Sequence, residues 1–89
     1  MIELDLEIIN EKGLHARASA KFVELVEAHD ATVEVMKDGM NVPGDSIMGL
    51  LMLAASRGSS IRVQIDGPQS QELAGALTKL IEDRFGEGM

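Results

Sequence analysis

The side chains with the clearest chemical potential in this sequence are His15 and Arg17, in the stretch "EKGLHARASAKFVE". Downstream, Phe22, Val23 and Val26 share one helical stripe that runs back to Ser19, which predicts a helix from Ala16 to about Ala28. His15 therefore stands at a helix mouth. Ser, Thr, Asp or Asn is usual there, because their oxygens accept from free backbone N–H groups. A cationic imidazole would face the positive end of the helix dipole. Two readings compete. In the plain one, His15 is a partly exposed turn residue. In the chemical one, the helix entrance attracts phosphate or another anion, and Arg17 adds a planar, permanently charged donor suited to phosphoryl oxygens. Both influences disfavour the imidazolium and leave a neutral, nucleophilic ring. Attack on phosphorus would then place a dianion where the helix and Arg17 stabilise it. Gly13 lets the approach loop turn tightly and leaves room for a partner's active site.

What surrounds this pair narrows the chemistry. The sequence contains no glycine-rich nucleotide loop, Walker lysine or carboxylate pair for Mg²⁺, so it lacks the means to bind and activate its own phosphoryl donor. A nucleophile with an anion site but no donor pocket suggests a carrier, loaded by one protein and emptied by another. No cofactor is expected, nor a metal. The other histidine, His29, lies more than about three turns further along the same helix and cannot share an ion with His15. It reads as a last-turn residue favoured by the helix C-terminus. Cysteine is absent, which excludes disulfides and thiolate metal sites.

A second region carries independent information. "SIMGLLMLAAS" predicts a short helix opened by Ser46, with Gly58 as its left-handed cap. Ile47, Leu50, Leu51 and Ala54 form a core-facing stripe, yet Met48, Met52 and Ala55 on the neighbouring strip are apolar too. Either the helix is deeply buried, or Met48 and Met52 are exposed as an apolar docking patch. Methionine suits a surface that meets several partners. Ser46 serves as N-cap without a full capping box, since Gly49 stands where Glu or Gln would be. A phosphate on Ser46 would also be tolerated at that helix entrance, and would set negative charge beside Met48.

These sites need a frame. Ile2, Leu4, Leu6 and Ile8 alternate with Glu3, Asp5 and Glu7, a strand with one wet face. "ATVEVMK" and "MNVP" flank Asp38-Gly39, a strong hairpin signal. "SIRVQID" is the last strand, with Ile61, Val63 and Ile65 inward, and Leu73, Leu77, Leu80 and Ile81 mark a third helix. The expected fold is an α/β open-faced two-layer sandwich of order β-α-β-β-α-β-α, an antiparallel four-stranded sheet with three helices on one face. One domain of 1–89 is expected, with 85–89 as a frayed tail. The net charge of −7 without a basic cluster argues against nucleic-acid or anionic-membrane binding. The sequence shows no signal peptide and no membrane span, so a cytoplasmic monomer is expected.

"GLHARASAKFV", "DSIMGLLMLAASRGSSIRV" and "GPQSQELAGALTKLIEDRF" together resemble HPr, the histidine-containing phosphocarrier family of the bacterial phosphoenolpyruvate-dependent phosphotransferase system. The resemblance covers nearly the whole chain. It implies that His15 is the phosphoryl acceptor, modified on Nδ1, with Arg17 beside the phosphoryl group. It implies a regulatory phosphorylation of Ser46 by an HPr serine kinase/phosphorylase. Ile47, Met48, Leu51 and Met52 match the family's docking helix for enzyme I and for IIA-type acceptor domains. The chain would then be a substrate of phosphotransferase enzymes rather than an enzyme itself. The alternative is a regulatory binding module switched by Ser46. Ala18 departs from the proline common in the family, and alanine there keeps a good helix former in the first turn. "HARAS" with "GPQ" is also similar to the nitrogen-related branch, whose members serve regulation more than sugar uptake.

Overall fold

The computed structural model describes residues 1–88, so Met89 lies outside the described residues. Four strands form one antiparallel sheet: β1 (Ile2–Glu7), β2 (Thr32–Lys37), β3 (Met40–Pro43) and β4 (Ser60–Asp66), in the order β1-β4-β2-β3. The alternating patterns dictate which face packs. Ile61, Val63 and Ile65 of the central β4 are buried, as are Val33 and Val35 of β2. Leu4 and Val35 both lie opposite Val63, so the three strands present one apolar face. Three helices cover it: α1 (Ala16–Glu27), α2 (Ile47–Met52) and α3 (Ser70–Glu82). Phe22 of α1, Leu50 of α2 and Leu73 and Leu77 of α3 are fully buried against the sheet. Burial of side chains of this size stabilises by roughly 1.5–3 kcal/mol each. The fold is the expected open-faced sandwich.

The other sheet face stays in water, where Arg62 donates from Nε to Asp5 Oδ1 at 3.0 Å across the β1–β4 pair. The Asp38-Gly39 turn is also as expected, with φ of 51° and 83°. Two positive values in a row are what a tight I′ hairpin demands.

The structure corrects the expected bounds of the elements at two points. α2 does not run to Ser56 but ends at Met52, and Ala54 adopts φ 52° just past its C-cap Leu53. The reversal turns Leu53 and Ala55 inward while Ala54 faces solvent. Ala54 is therefore no core residue, and Gly58 is no helix cap. Gly58 instead adopts φ 90° in the following loop and donates its N–H to Ile8 O at 2.7 Å. A Cβ in the left-handed region costs about 1–2 kcal/mol, part of which glycine forfeits through unfolded-chain entropy. Ala54→Gly should therefore raise stability by about 0.5–1 kcal/mol, read as a rise of a few degrees in thermal midpoint.

The second correction concerns the tail. Rather than fraying from residue 85, it makes a 3₁₀ turn over Arg84–Gly86 and buries the Phe85 ring, which is 1% exposed. Arg84 and Phe85 both take positive φ, 54° and 55°, an unfavourable backbone for residues with a Cβ. Burial of an aromatic ring offsets that cost. Lys21 of α1 clamps the turn from outside, donating from Nζ to Phe85 O at 2.6 Å.

Candidate functional site

The loop between β1 and α1 is fixed before the histidine is reached. Leu14 is buried, and its N–H donates to Ala55 O at 2.8 Å, tying the loop to the segment after α2. Gly13 has φ 68°, and a Cβ there would meet Ala55 O at 2.6 Å and Ser56 Cα at 2.9 Å. The space beside Gly13 is thus filled by this protein's own backbone, whereas the sequence reading reserved it for a partner. Gly13→Ala combines left-handed strain with a backbone clash. It should lower stability by about 2 kcal/mol in denaturant titration.

His15 follows as the N-cap of α1, in extended conformation and with no capping bond from its side chain. The first helix bond runs from Ser19 N–H to His15 O, so the N–H groups of Ala16, Arg17 and Ala18 have no helical acceptor. These free donors are the anion-attracting end expected from sequence. Arg17 is exposed and makes no ion pair among the described residues. Lys12, His15, Ala16, Arg17, Gly86 and Glu87 line one shallow groove at this helix mouth. The site thus gathers two basic side chains, an imidazole and, unexpectedly, a carboxylate. Ala18, in the first turn of α1, is fully buried.

The carboxylate belongs to Glu87, whose Oε2 faces His15 Nε2 in a close hydrogen bond. Its other oxygen, Oε1, accepts from Asn10 Nδ2 at 3.0 Å, and the same amide donates to Gly13 O at 2.8 Å. Asn10 is wholly buried with both neighbours acceptors, which dictates the direction of its amide and leaves Oδ1 without a partner among the described residues. Sequence reasoning missed both residues. It counted only positive neighbours around the imidazole, and the structure adds a negative one. The contact spans 72 residues and had no local signal, although Phe85 continues the Leu73, Leu77, Ile81 spacing and pointed to an anchored tail.

Burial works to raise the Glu87 pKa. The hydrogen bonds from Asn10 and His15, with the charges of His15 and Lys12, outweigh it and hold the carboxyl below the usual glutamate range. A depressed pKa means that the contact stabilises fully above that range and weakens as pH falls through the lowered value. In an acid titration followed by NMR, the Gly86 and Glu87 amides should keep their folded shifts until the pH is below the ordinary glutamate range. Release of the tail within or above that range would contradict the assignment.

His29, the other histidine, sits past the end of α1 with Nδ1 donating to Leu25 O at 2.7 Å. Among the described residues no group of three or more His, Asp or Glu is placed to hold a metal ion.

The second region opens into solvent. Ile47, Met48, Leu51 and Met52 are 41%, 73%, 37% and 65% exposed, and only Leu50 and Gly49 of α2 are buried. Ile47 and Leu51 therefore leave the core stripe that sequence gave them and join the methionines in one exposed apolar patch. Ser46 accepts at Oγ from Gly49 N–H at 3.0 Å, the expected cap. Gly49 supplies no capping-box side chain because its Cβ would come within 3.0 Å of Val42 Cβ on β3. The Leu14–Ala55 bond joins the segment leaving α2 to the residue before His15. No helix among the described residues is long and apolar enough to cross a membrane.

Fold and site together define a small α/β module that presents one histidine at a helix mouth, with an apolar helix close by in the fold. The chain belongs to the HPr family of the phosphotransferase system: residues 2–83 match the family described as the PTS HPr component phosphorylation site. It is 48% identical over 88 residues to the phosphocarrier protein HPr of Cupriavidus necator, covering 99% of each chain. The phosphocarrier protein NPr of Escherichia coli is 36% identical over 87 residues, covering 97% of each. Among solved structures, HPr-C-His from Thermoanaerobacter tengcongensis superposes with a TM-score of 0.95 at 38% identity, covering all of both chains.

Proposed function

We propose that this chain carries a phosphoryl group for the phosphotransferase system, accepting it from phospho-enzyme I on His15 and passing it to a IIA-type domain. The observation that carries this reading is His15 at the entrance of α1, beside three N–H groups without helical acceptors and an exposed Arg17 that has no ion pair among the described residues. The imidazole lone pair forms a bond to phosphorus while the bond to the donor atom breaks, its electron pair leaving with the donor. The three non-bridging oxygens then meet the helix N-terminus and Arg17. A site that held the group strongly would make onward transfer uphill, so modest stabilisation by exposed donors suits a carrier. Ile47, Met48, Leu51 and Met52 form the docking face for both partners. The chain supplies the acceptor, and the partners catalyse. Sugar uptake or regulation then depends on which IIA domain accepts.

A Ser46 phosphate, added by an HPr serine kinase/phosphorylase, fits the same reading. Ser46 caps α2 one residue before the exposed apolar patch, so new charge there would oppose docking.

Incubation with phosphoenolpyruvate and enzyme I is expected to load one acid-labile, alkali-stable phosphate per chain on His15. Absence of uptake, or phosphate mapped to another residue, would remove the proposal.

A further inference from the structure

We infer that Glu87, held by Asn10, is a positioning residue for His15: it accepts a hydrogen bond from Nε2–H and so leaves the lone pair on Nδ1. The inference deepens the carrier reading and rests on it for its consequence, though not for its geometry. A carboxylate only accepts, and Glu87 Oε2 faces Nε2 directly, so Nε2 must be the protonated nitrogen. In the neutral ring the other nitrogen, Nδ1, then carries the lone pair. This supplies a physical reason for attack through Nδ1, the nitrogen that the family resemblance implies and that residue spacing alone leaves open.

The carboxylate is itself located. Asn10 is wholly buried, and its Nδ2 grips Glu87 Oε1 at 3.0 Å and the Gly13 carbonyl at 2.8 Å. One amide therefore fixes the loop before the histidine and the acid behind it. The anchored Phe85 ring and the Lys21 bond to Phe85 O bring the tail to this place. The matched family segment ends at residue 83, so Glu87 lies outside it. The charged groups facing the ring in this groove are Glu87, Lys12 and Arg17.

The transfer step balances without a base. Nδ1 bonds to phosphorus as the donor leaves with its electron pair, and the Nε2 proton stays in place. The ring becomes a phosphoimidazolium whose positive charge lies against Glu87, much as a buried carboxylate stabilises the imidazolium of a Ser-His-Asp triad.

Glu87→Gln is the decisive variant, because the shapes are nearly the same. Asn10 Nδ2 needs an oxygen opposite it, which turns the new amide nitrogen toward His15 Nε2. That nitrogen donates, so Nε2 must accept and the proton moves to Nδ1, which blocks the nucleophile. Nitrogen-15 NMR of the neutral ring should show Nε2–H in the wild type and a shift toward Nδ1–H in Glu87→Gln. Uptake from phospho-enzyme I should fall at least roughly tenfold, as when orienting partners of metal-bound histidines are removed. Glu87→Ala, which leaves the ring without a partner, should transfer no worse than Glu87→Gln; a purely structural acid would give the opposite order. A Glu87→Gln ring that keeps Nε2–H, or uptake within twofold of wild type, overturns the assignment. If wild-type protein takes no phosphate, the carrier reading fails instead, and the tautomer measurement still decides the role of Glu87.

Discussion

His15→Ala is expected to take up no phosphate from phosphoenolpyruvate and enzyme I while remaining folded. The two halves have separate reasons. His15 makes no capping bond, and its side chain is 27% exposed. Its removal withdraws the hydrogen bond to Glu87, so stability should fall by about 1–2 kcal/mol without unfolding the domain. Uptake has no substitute route. His29, the other histidine, lies past the far end of α1 with Nδ1 committed to Leu25 O at 2.7 Å. Arg17 is permanently protonated and cannot act as nucleophile. The loss should therefore reach the roughly thousandfold or greater scale seen when a nucleophile is deleted. Phosphorus NMR and gel mobility are the measurements. Labile phosphate remaining on the variant would mean that another residue is the acceptor.

Met48→Asp should weaken binding of enzyme I by about a hundredfold, close to 2.7 kcal/mol, with thermal stability unchanged. Met48 is 73% exposed, so the free protein loses almost no buried area. A carboxylate in the first turn of α2 even suits the helix dipole. In a complex it would instead be desolvated against an apolar surface, which is costly without a partner. The neighbouring Leu50 provides the contrast: it is fully buried, and Leu50→Asp should unfold the domain. Calorimetric titration beside a thermal melt separates the two outcomes. Affinity within threefold of wild type would show that this face is not the docking surface.

The sandwich was legible in the sequence because its elements announce themselves locally. Strict alternation in β1 and β4 fixed which side chains face the helices, and Asp38-Gly39 could make a tight hairpin and little else. His15 and Arg17 were legible for the same reason, since a helix mouth is a local feature whose dipole acts within one turn. The α2 region was half legible. Its excess of apolar residues implied either burial or a surface patch, and periodicity could not choose. Packing chose: Gly49 must approach Val42 closely, which turns Leu50 inward and leaves Ile47, Met48, Leu51 and Met52 outside.

The sequence by itself determined the element order, the buried sheet face, and the helix-mouth pair of His15 and Arg17. These follow from period-2 and period-3.6 patterning and from backbone chemistry within a few residues. Only the tertiary structure decided where α2 stops, which of its faces is wet, and what stands behind the imidazole. The reversal at Ala54 turns Leu53 and Ala55 inward and accompanies the bond from the Leu14 N–H to the Ala55 carbonyl, a contact between distant segments. Glu87 reaches His15 because Phe85 is drawn into the core, and a burial gain spread over the whole molecule leaves no mark on the residues beside it.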